Sequence, residues 1–483
     1  MKTQWLNSRK VIERVIVTGT LELTTPTHFG NGDGGGLTDI PLLRDPLDGS
    51  PLLTGASIAG ALRNYVREYA NGYGVKENMD GQTLAEKLFG YIHDSDDASY
   101  ESWLIVEDAR GKPPQKGKAM EIRDGVTIDS ATRTAEIEDG KGKKFDIELL
   151  AAGTTFELGF ELCLTAEQHD ELLDAFAIAL DGLKNGSVHM GMRKRRGYGA
   201  CKVADWIVSR YRMNDVNDVL AWLDCSPVPG SLPLLGGTHK GESFDIEATF
   251  RLEKSSLLIR SDTGEGDAAD MVHLRSWRNG EQKPVLSGTS LAGVLRSRAL
   301  RIANTLMGDK QKGAAFVDGI FGKRIRTSGD IPSGSLLTVA ESKISDQAIT
   351  DRVQNRVKID RFTGGAYPGA LFGQQPVFGK DSGETKVTIN LSLRKTPANA
   401  NIFDAQVGLL LLVLKDLWTG DLPVGGESSV GRGQLQGESA NLKLGQDTWI
   451  LKDTEGKLGF GGSVQVDVLE NRYLKAFKEA YHG

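Results

Sequence analysis

The sequence predicts an α+β protein made of two tandem copies of one module, each ferredoxin-like (RRM-like, βαββαβ). One stretch, "SPLLTGASIAGALR" at 50–63, recurs as "PVLSGTSLAGVLR" at 284–296 with only small-for-small or aliphatic-for-aliphatic exchanges along the shared core. Further landmarks return in the same order at nearly the same spacing. Gly55 and Gly288 stand 233 residues apart, "LFG" at 88–90 and "IFG" at 320–322 stand 232 apart, and "SWLIVEDA" from 102 meets "SLLTVAES" from 335. "RDGVTIDSATRTA" at 123–135 pairs with "QNRVKIDRFTGGA" at 354–366, and Gly191-x5-Gly197-x-Gly199 with Gly425-x5-Gly431-x-Gly433. Self-similarity kept in order at one offset is the mark of a duplicated structural unit. The third observation is that hydrophobic periodicity switches between strand and helix in the same order in both halves.

Within each half the first strand is read from alternation in "VIERVIVTGTLELTT" and "FDIEATFRLEKSSLLI". After a Gly-rich loop a helix follows, with Ser57 or Ser290 as the expected N-cap. Ile58, Leu62, Tyr65 and Val66 share one helical face, as do Leu291, Val294, Leu295, Ala299 and Ile302. Later strands, "GTTFELGFELCL" and "TKVTINLSLR", lead into "HDELLDAFAIALDGL" and "DAQVGLLLLVLKDLW", then into a Gly-rich hairpin and a last strand. The order strand, helix, strands, helix, strand is the split βαβ plan, an antiparallel sheet with its helices on one face.

A chain of 483 residues exceeds the roughly 100–200 residues of one domain. The Pro/Gly/Ser-rich segment 224–243 is the expected linker, which places the domains at about 1–230 and 240–470. A content of 39% apolar and 25% charged residues describes a folding globular chain. Cys163, Cys201 and Cys225 have no metal-ligand spacing and are odd in number, which fits a reducing compartment. No signal core or apolar run of ~20 residues is read, so the expected location is cytoplasmic, with no membrane. The net charge of -6 argues against a general polyanion binder, so any nucleic-acid site must be locally basic.

The pattern D-x-P-x-x-R-D-P…P-x-x-x-G-x-S-x-x-G-x-x-R in "DIPLLRDPLDGSPLLTGASIAGALR" at 39–63, together with the terminal G-x5-G-x-G loops, resembles the RAMP superfamily of CRISPR proteins. The likeness is strongest to the backbone subunits of type III effector complexes, the seven-numbered Cas family, here as a two-copy fusion of the type III-D kind. It implies a prokaryotic partner set of guide RNA, complementary target RNA and other Cas subunits. It also implies thumb-like β-hairpins that turn nucleotides out of the guide–target duplex at regular intervals. "IRDGVTIDSATRTAE" and "VQNRVKIDRFTGGA" look like those thumbs. The resemblance further implies an aspartate beside each displaced target nucleotide that supports metal-dependent cleavage.

Asp39 stands where the family aspartate stands, Asp270 in "AADMVHLRSW" matches it in the second copy, so that cleavage is expected in one or both domains, and Asp33 in "GNGDGGG" is a rival. RNA supplies its own nucleophile, the 2′-hydroxyl, so one carboxylate with Mg²⁺ or another divalent ion is expected to suffice, with Asp39 and Asp270 as metal ligands. The helix start around Gly55 and Ser57, with Ser290 in the second copy, suits a phosphate, and Arg63 and Arg296 suit another. Arg193, Lys194, Arg195 and Arg196 form a local basic site beside Tyr198, a candidate stacking ring; the second loop keeps only Arg432. His28 and His273 lie in the right segments for proton transfer but read more simply as structural. Two alternatives stay open: an RNA-binding scaffold without chemistry, and an endoribonuclease that processes guide precursors.

Overall fold

The computed structural model describes residues 10–32, 38–77, 83–92, 100–129, 132, 134–138, 141–142, 144–233, 239–252, 255–261, 269–323, 331, 333–380, 384–454 and 457–482. The first half contains β1 (Val11–Leu23), α1 (Gly55–Asn71), α2 (Leu84–Phe89), β2 (Leu104–Val106), β3 (Met120–Val126) and β4 (Lys144–Leu150). It continues with β5 (Thr155–Thr165), α3 (His169–Lys184) and β6 (Cys201–Arg212). The second half contains β7 (Ser243–Arg251), β8 (Met271–His273), β9 (Arg275–Arg278), α4 (Gly288–Met307), α5 (Lys310–Phe321) and β10 (Leu337–Val339). It continues with β11 (Gln354–Ile359), β12 (Ala366–Gln375), β13 (Lys386–Arg394), α6 (Phe403–Trp418) and β14 (Gln436–Leu444).

Both halves build the same mixed α+β layer. Antiparallel pairing orders the first sheet β6-β1-β5-β2 and the second β14-β7-β13-β10. Alternation in β1 turns Val15, Val17, Leu21 and Leu23 into a core that also takes Ile58, Leu62, Tyr65 and Val66 of α1 and Phe176, Ala179 and Leu183 of α3. Each large apolar side chain buried this way contributes about 1.5–3 kcal/mol. A second, separate core runs from Phe244 to Phe477 and gathers Leu291, Leu295 and Ala299 of α4 against β7 and α6. Among the described residues no helix is long and apolar enough to cross a membrane.

Two local expectations change. The caps of the first helices are Thr54, whose hydroxyl accepts the Ser57 amide at 3.3 Å, and Ser287, whose hydroxyl instead meets that of Thr289 at 2.6 Å. Ser57 and Ser290 therefore sit inside the helices. Each half also holds a helix that the two-helix order does not include: α2, opened by a capping box between Thr83 and Glu86, and α5, capped by Asp309. The "LFG" and "IFG" landmarks are the ends of these helices.

Candidate nucleic-acid interface

Asp39 and Asp270 occupy matching places. Asp39 is exposed and its Oδ2 accepts the backbone N–H of Asp146 on β4 at 2.9 Å; Asp270 is exposed and its Oδ2 accepts the N–H of Gly373 on β12 at 2.7 Å. The residue after each aspartate pairs in parallel with the same strand, Ile40 with Ile147 and Met271 with Gln374. Asp33 lies outside the described residues. Among the described residues no three His, Cys, Asp or Glu side chains converge as a metal cage. A single exposed carboxylate with one oxygen held by an amide fits an ion such as Mg²⁺ that keeps most of its waters and takes phosphate oxygens as ligands.

Each aspartate adjoins a β-hairpin arm. In the first, β3 pairs antiparallel with β4; in the second, β11 pairs with β12, and Phe362 in the connecting turn is 99% exposed. The sequence of β3, "MEIRDGV", inverts the usual pattern: Glu121 and Arg123 are buried while Met120, Ile122 and Val126 face solvent. The second arm likewise exposes Val357, Ile359, Tyr367 and Leu371.

The Gly-rich loops repeat the same backbone turn. Gly191, Gly197 and Gly199 have φ of 81, 88 and 77°, and Gly425, Gly431 and Gly433 have 82, 83 and 77°. A Cβ on Gly199 would sit 1.9 Å from the Met190 carbonyl oxygen, and one on Gly433 1.9 Å from that of Val424. A tight, left-handed crossing is thus what these glycines serve. The first loop carries Arg193, Lys194, Arg195 and Arg196 into a cleft of about 390 Å³ between the halves, completed by Arg296 and Lys323. Arg193 also lies over the Phe145 ring of the first arm, 4.9 Å from its centroid.

Several expected RNA contacts are used internally. Tyr198 is 2% exposed, packed with Ile147 and Leu149 beneath the Arg123 guanidinium, so its ring offers no face to a base. Arg432 is 3% exposed and donates to Ser256, Gln354 and Gln374 at 3.1, 2.8 and 2.9 Å, with Glu427 at 2.8 Å, so it is not a surface cation. Arg63 donates to the Gly90 carbonyl at 2.9 Å and to Glu77 at 2.8 Å. Arg296 does the same with Gly322 at 2.7 Å and Asp318. Both arginines tie the first helix of a half to the end of the second. Gly55 and Gly288 let helix starts close on protein: a Cβ would lie 2.2 Å from the Val106 carbonyl oxygen at the former, and 2.5 and 2.6 Å from those of Arg196 and Val339 at the latter. Ser57 is exposed and Ser290 half-buried.

Both histidines are structural. His28 is buried with Nδ1 2.8 Å from the Glu148 carbonyl, and His273 is buried with Nε2 3.0 Å from the Val285 carbonyl. Burial pushes the His273 imidazole down to about 4, so it is neutral. What sequence reasoning missed is a buried polar cluster joining the halves. Arg123 pairs with Glu121 at 2.9 Å and with Glu341 of the second half, which Arg278 also engages. Glu121 accepts from the Ser276 hydroxyl at 2.8 Å and the Trp277 amide at 2.7 Å. The inverted alternation of β3 was the signal available.

Two α+β modules of one strand order, each bearing an exposed aspartate beside an apolar hairpin arm and a Gly-rich loop, define a duplicated two-module protein. The family model described as the RAMP superfamily matches it twice, at 20–202 and 241–436, and the chain belongs to that superfamily. It is similar to "CRISPR system Cms endoribonuclease Csm3" of Streptococcus thermophilus, 23% identical over 209 residues that cover 41% of this chain and 93% of that protein. The protein of the same name from Mycobacterium tuberculosis (strain ATCC 25618 / H37Rv) is 26% identical over 211 residues, 40% of this chain and 87% of that protein. Each relative is about one module long.

Proposed function

We propose that the chain is an RNA-binding backbone subunit of a type III CRISPR effector complex, built of two ferredoxin-like domains at about 1–230 and 240–470 and lying along a guide RNA. Complementary target RNA is cut at two positions, one served by Asp39 and one by Asp270. The name carried by both relatives, an endoribonuclease of a CRISPR system, supports the class of activity. The observation that carries the reading is the duplicated carboxylate: exposed, held through Oδ2 by an arm-strand amide, and next to an arm with apolar side chains in solvent. Such side chains suit insertion between stacked bases, which is the thumb role. The sheet order, with the first strand central beside the third and the last at its edge-ward side, supports the ferredoxin-like assignment.

In this reading the arm turns a target nucleotide out of the stack and sets its 2′-oxygen in line with the phosphate. The 2′-hydroxyl gives up its proton as its oxygen bonds to phosphorus, the bond from phosphorus to the 5′-oxygen breaks, and the leaving 5′-oxygen takes up a proton, so that none is gained or lost overall. A divalent ion, when bound, would neutralise charge on the phosphate. The residues holding it would be Asp39 in one site and Asp270 in the other; the amide that fixes Oδ2 sets the carboxylate's direction. Lys194, Arg195 and their neighbours supply sequence-independent grip on a phosphate backbone.

Mapping cuts on a guide-matched RNA for the assembled complex tests this. Asp39→Ala and Asp270→Ala are each expected to remove one distinct cut, and the double variant both. Unchanged cleavage in the double variant would leave a scaffold without chemistry, and metal-independent cutting of precursor RNA by the isolated chain would make it a guide-processing enzyme.

A further inference from the structure

We propose that Glu341, in the second half, is a positioning residue for Asp39 in the first, so that one cleavage site is built by both halves and the other by one. The inference rests on the reading of Asp39 as a cleavage residue.

The path is short and made of named contacts. The Glu341 side chain has no exposed surface and engages Arg123 through both carboxylate oxygens, one at 3.3 Å. Burial alone would raise its carboxyl, but Arg123 and Arg278 outweigh that and hold it below its ordinary range, so it is a charged anchor. Arg123 lies on β3 directly across from Ile147 of β4, and the next pair in register is Asp124 with Asp146. The Asp146 amide is the donor that holds Asp39, and Ile40 is hydrogen-bonded to the same strand, its N–H to the Asp146 carbonyl and its carbonyl to the Glu148 N–H, both at 3.2 Å. Glu121, two residues from Arg123 on the same face, is tied to Ser276 and Trp277 of the second half. The inner strand of the first arm is therefore fastened to the second half at two points, two strands from Asp39.

The second arm is held differently. Among the described residues no carboxylate of the first half pairs with β11; Arg432 of its own half donates to Gln354 on β11 and Gln374 on β12, while Arg356 pairs with Glu427 at 3.2 Å. Among the described residues, the contacts that hold Asp270 and its arm thus come from its own half. The pairing at the corresponding place on the first module also differs: Asp108, which stands where Glu341 stands in the second, is exposed and accepts the Gly55 amide at 2.7 Å.

The test is Glu341→Gln in the full chain within the assembled complex, cutting a guide-matched RNA under single-turnover conditions. The cut lost in Asp39→Ala is expected to slow at least tenfold, because small displacements of a catalytic group cost that much or more. The cut lost in Asp270→Ala should keep its rate within about twofold and target affinity should not change, a split that general loss of structure does not produce. The double variant Arg123→Met, Glu341→Met, which removes one charge of each sign and leaves Glu121 and Arg278 as the opposite charges that remain in the cluster, should show the same split if the single variant does not fold. Equal slowing of both cuts, or of neither, overturns the proposal. Hydrogen exchange of residues 144–150, faster in Glu341→Gln than in wild type while 366–375 is unchanged, reads the positioning without cleavage. If Asp39→Ala leaves every cut in place, the cleavage reading fails by itself, and the exchange result still decides whether Glu341 orders β4.

Discussion

Arg296 donates to the carbonyl oxygen of Gly322 at 2.7 Å, closing the end of α5 onto the middle of α4. Arg63 repeats the relationship with Gly90 in the first half. A helix end leaves its last carbonyls without intrahelical partners, and a guanidinium is well matched to one of them. Each arginine also pairs with a carboxylate. The duplicated arginine is therefore a packing element, and Arg63→Ala and Arg296→Ala should each cost about 1.5–3 kcal/mol in urea unfolding. Their effect on RNA affinity should be smaller than that of Lys194→Ala. Unchanged stability with lost affinity would return both residues to the phosphate role.

Gly197 and Gly431 share a conformation but not surroundings. A Cβ on Gly197 would meet the Glu341 amide nitrogen at 2.4 Å, whereas a Cβ on Gly431 meets nothing within 4 Å. Gly431→Ala should cost only the left-handed penalty, about 1–2 kcal/mol. Gly197→Ala adds a clash with the second half and should cost clearly more, measured by denaturant midpoint at constant slope. Equal losses at the two positions would mean that the loop does not bear on Glu341.

His273 gives the second half a pH signature. Its folded value is about 4 and the ordinary one near 6.5, so between these the unfolded chain binds the extra proton. Stability that is full above the ordinary value is lost as pH falls toward the folded one, on the order of 3 kcal/mol in all. His273→Gln, which keeps a donor for the Val285 carbonyl, should flatten the dependence of unfolding free energy on pH between 6.5 and 5, above most carboxylate titrations. A wild-type slope retained in the variant would show that the imidazole is already solvated.

The elements the sequence made legible are those in which local pattern and tertiary role coincide. The alternation of β1 and the apolar stripe of α1 point the same way as their burial, and Asp39 and Asp270, singled out through the family resemblance, hold matching places against their arm strands. What was illegible depends on partners far away in sequence. Arg63, Arg296 and Arg432 look like surface cations because an arginine's partner, here a distant carbonyl or glutamine, leaves no local trace. Tyr198 looked available because a tyrosine between glycines gives no sign of the arm that covers it. Glu121 and Arg123 did leave a trace, charges at the inward positions of a strand, which is the pattern of a strand whose inner face meets polar groups rather than a core.

The two loops divide the remaining work unevenly, and salt dependence measures the division. Lys194 is exposed and Arg195 half-buried at the cleft between the halves, while Arg432, the basic residue kept in the second loop, is buried among glutamines. For single-stranded RNA each neutralised phosphate contributes about 0.7 to the slope of log affinity against log salt. Lys194→Ala with Arg195→Ala should therefore lower the slope for guide RNA by about 1.4, from two lost phosphate contacts. Arg432→Ala removes a buried cation and its hydrogen bonds, so it should leave the slope as it is and lower the unfolding midpoint instead. A slope that falls with Arg432→Ala and not with the Lys194 and Arg195 pair would mean that the second loop opens on binding and that the guide follows the second half's cleft rather than the junction.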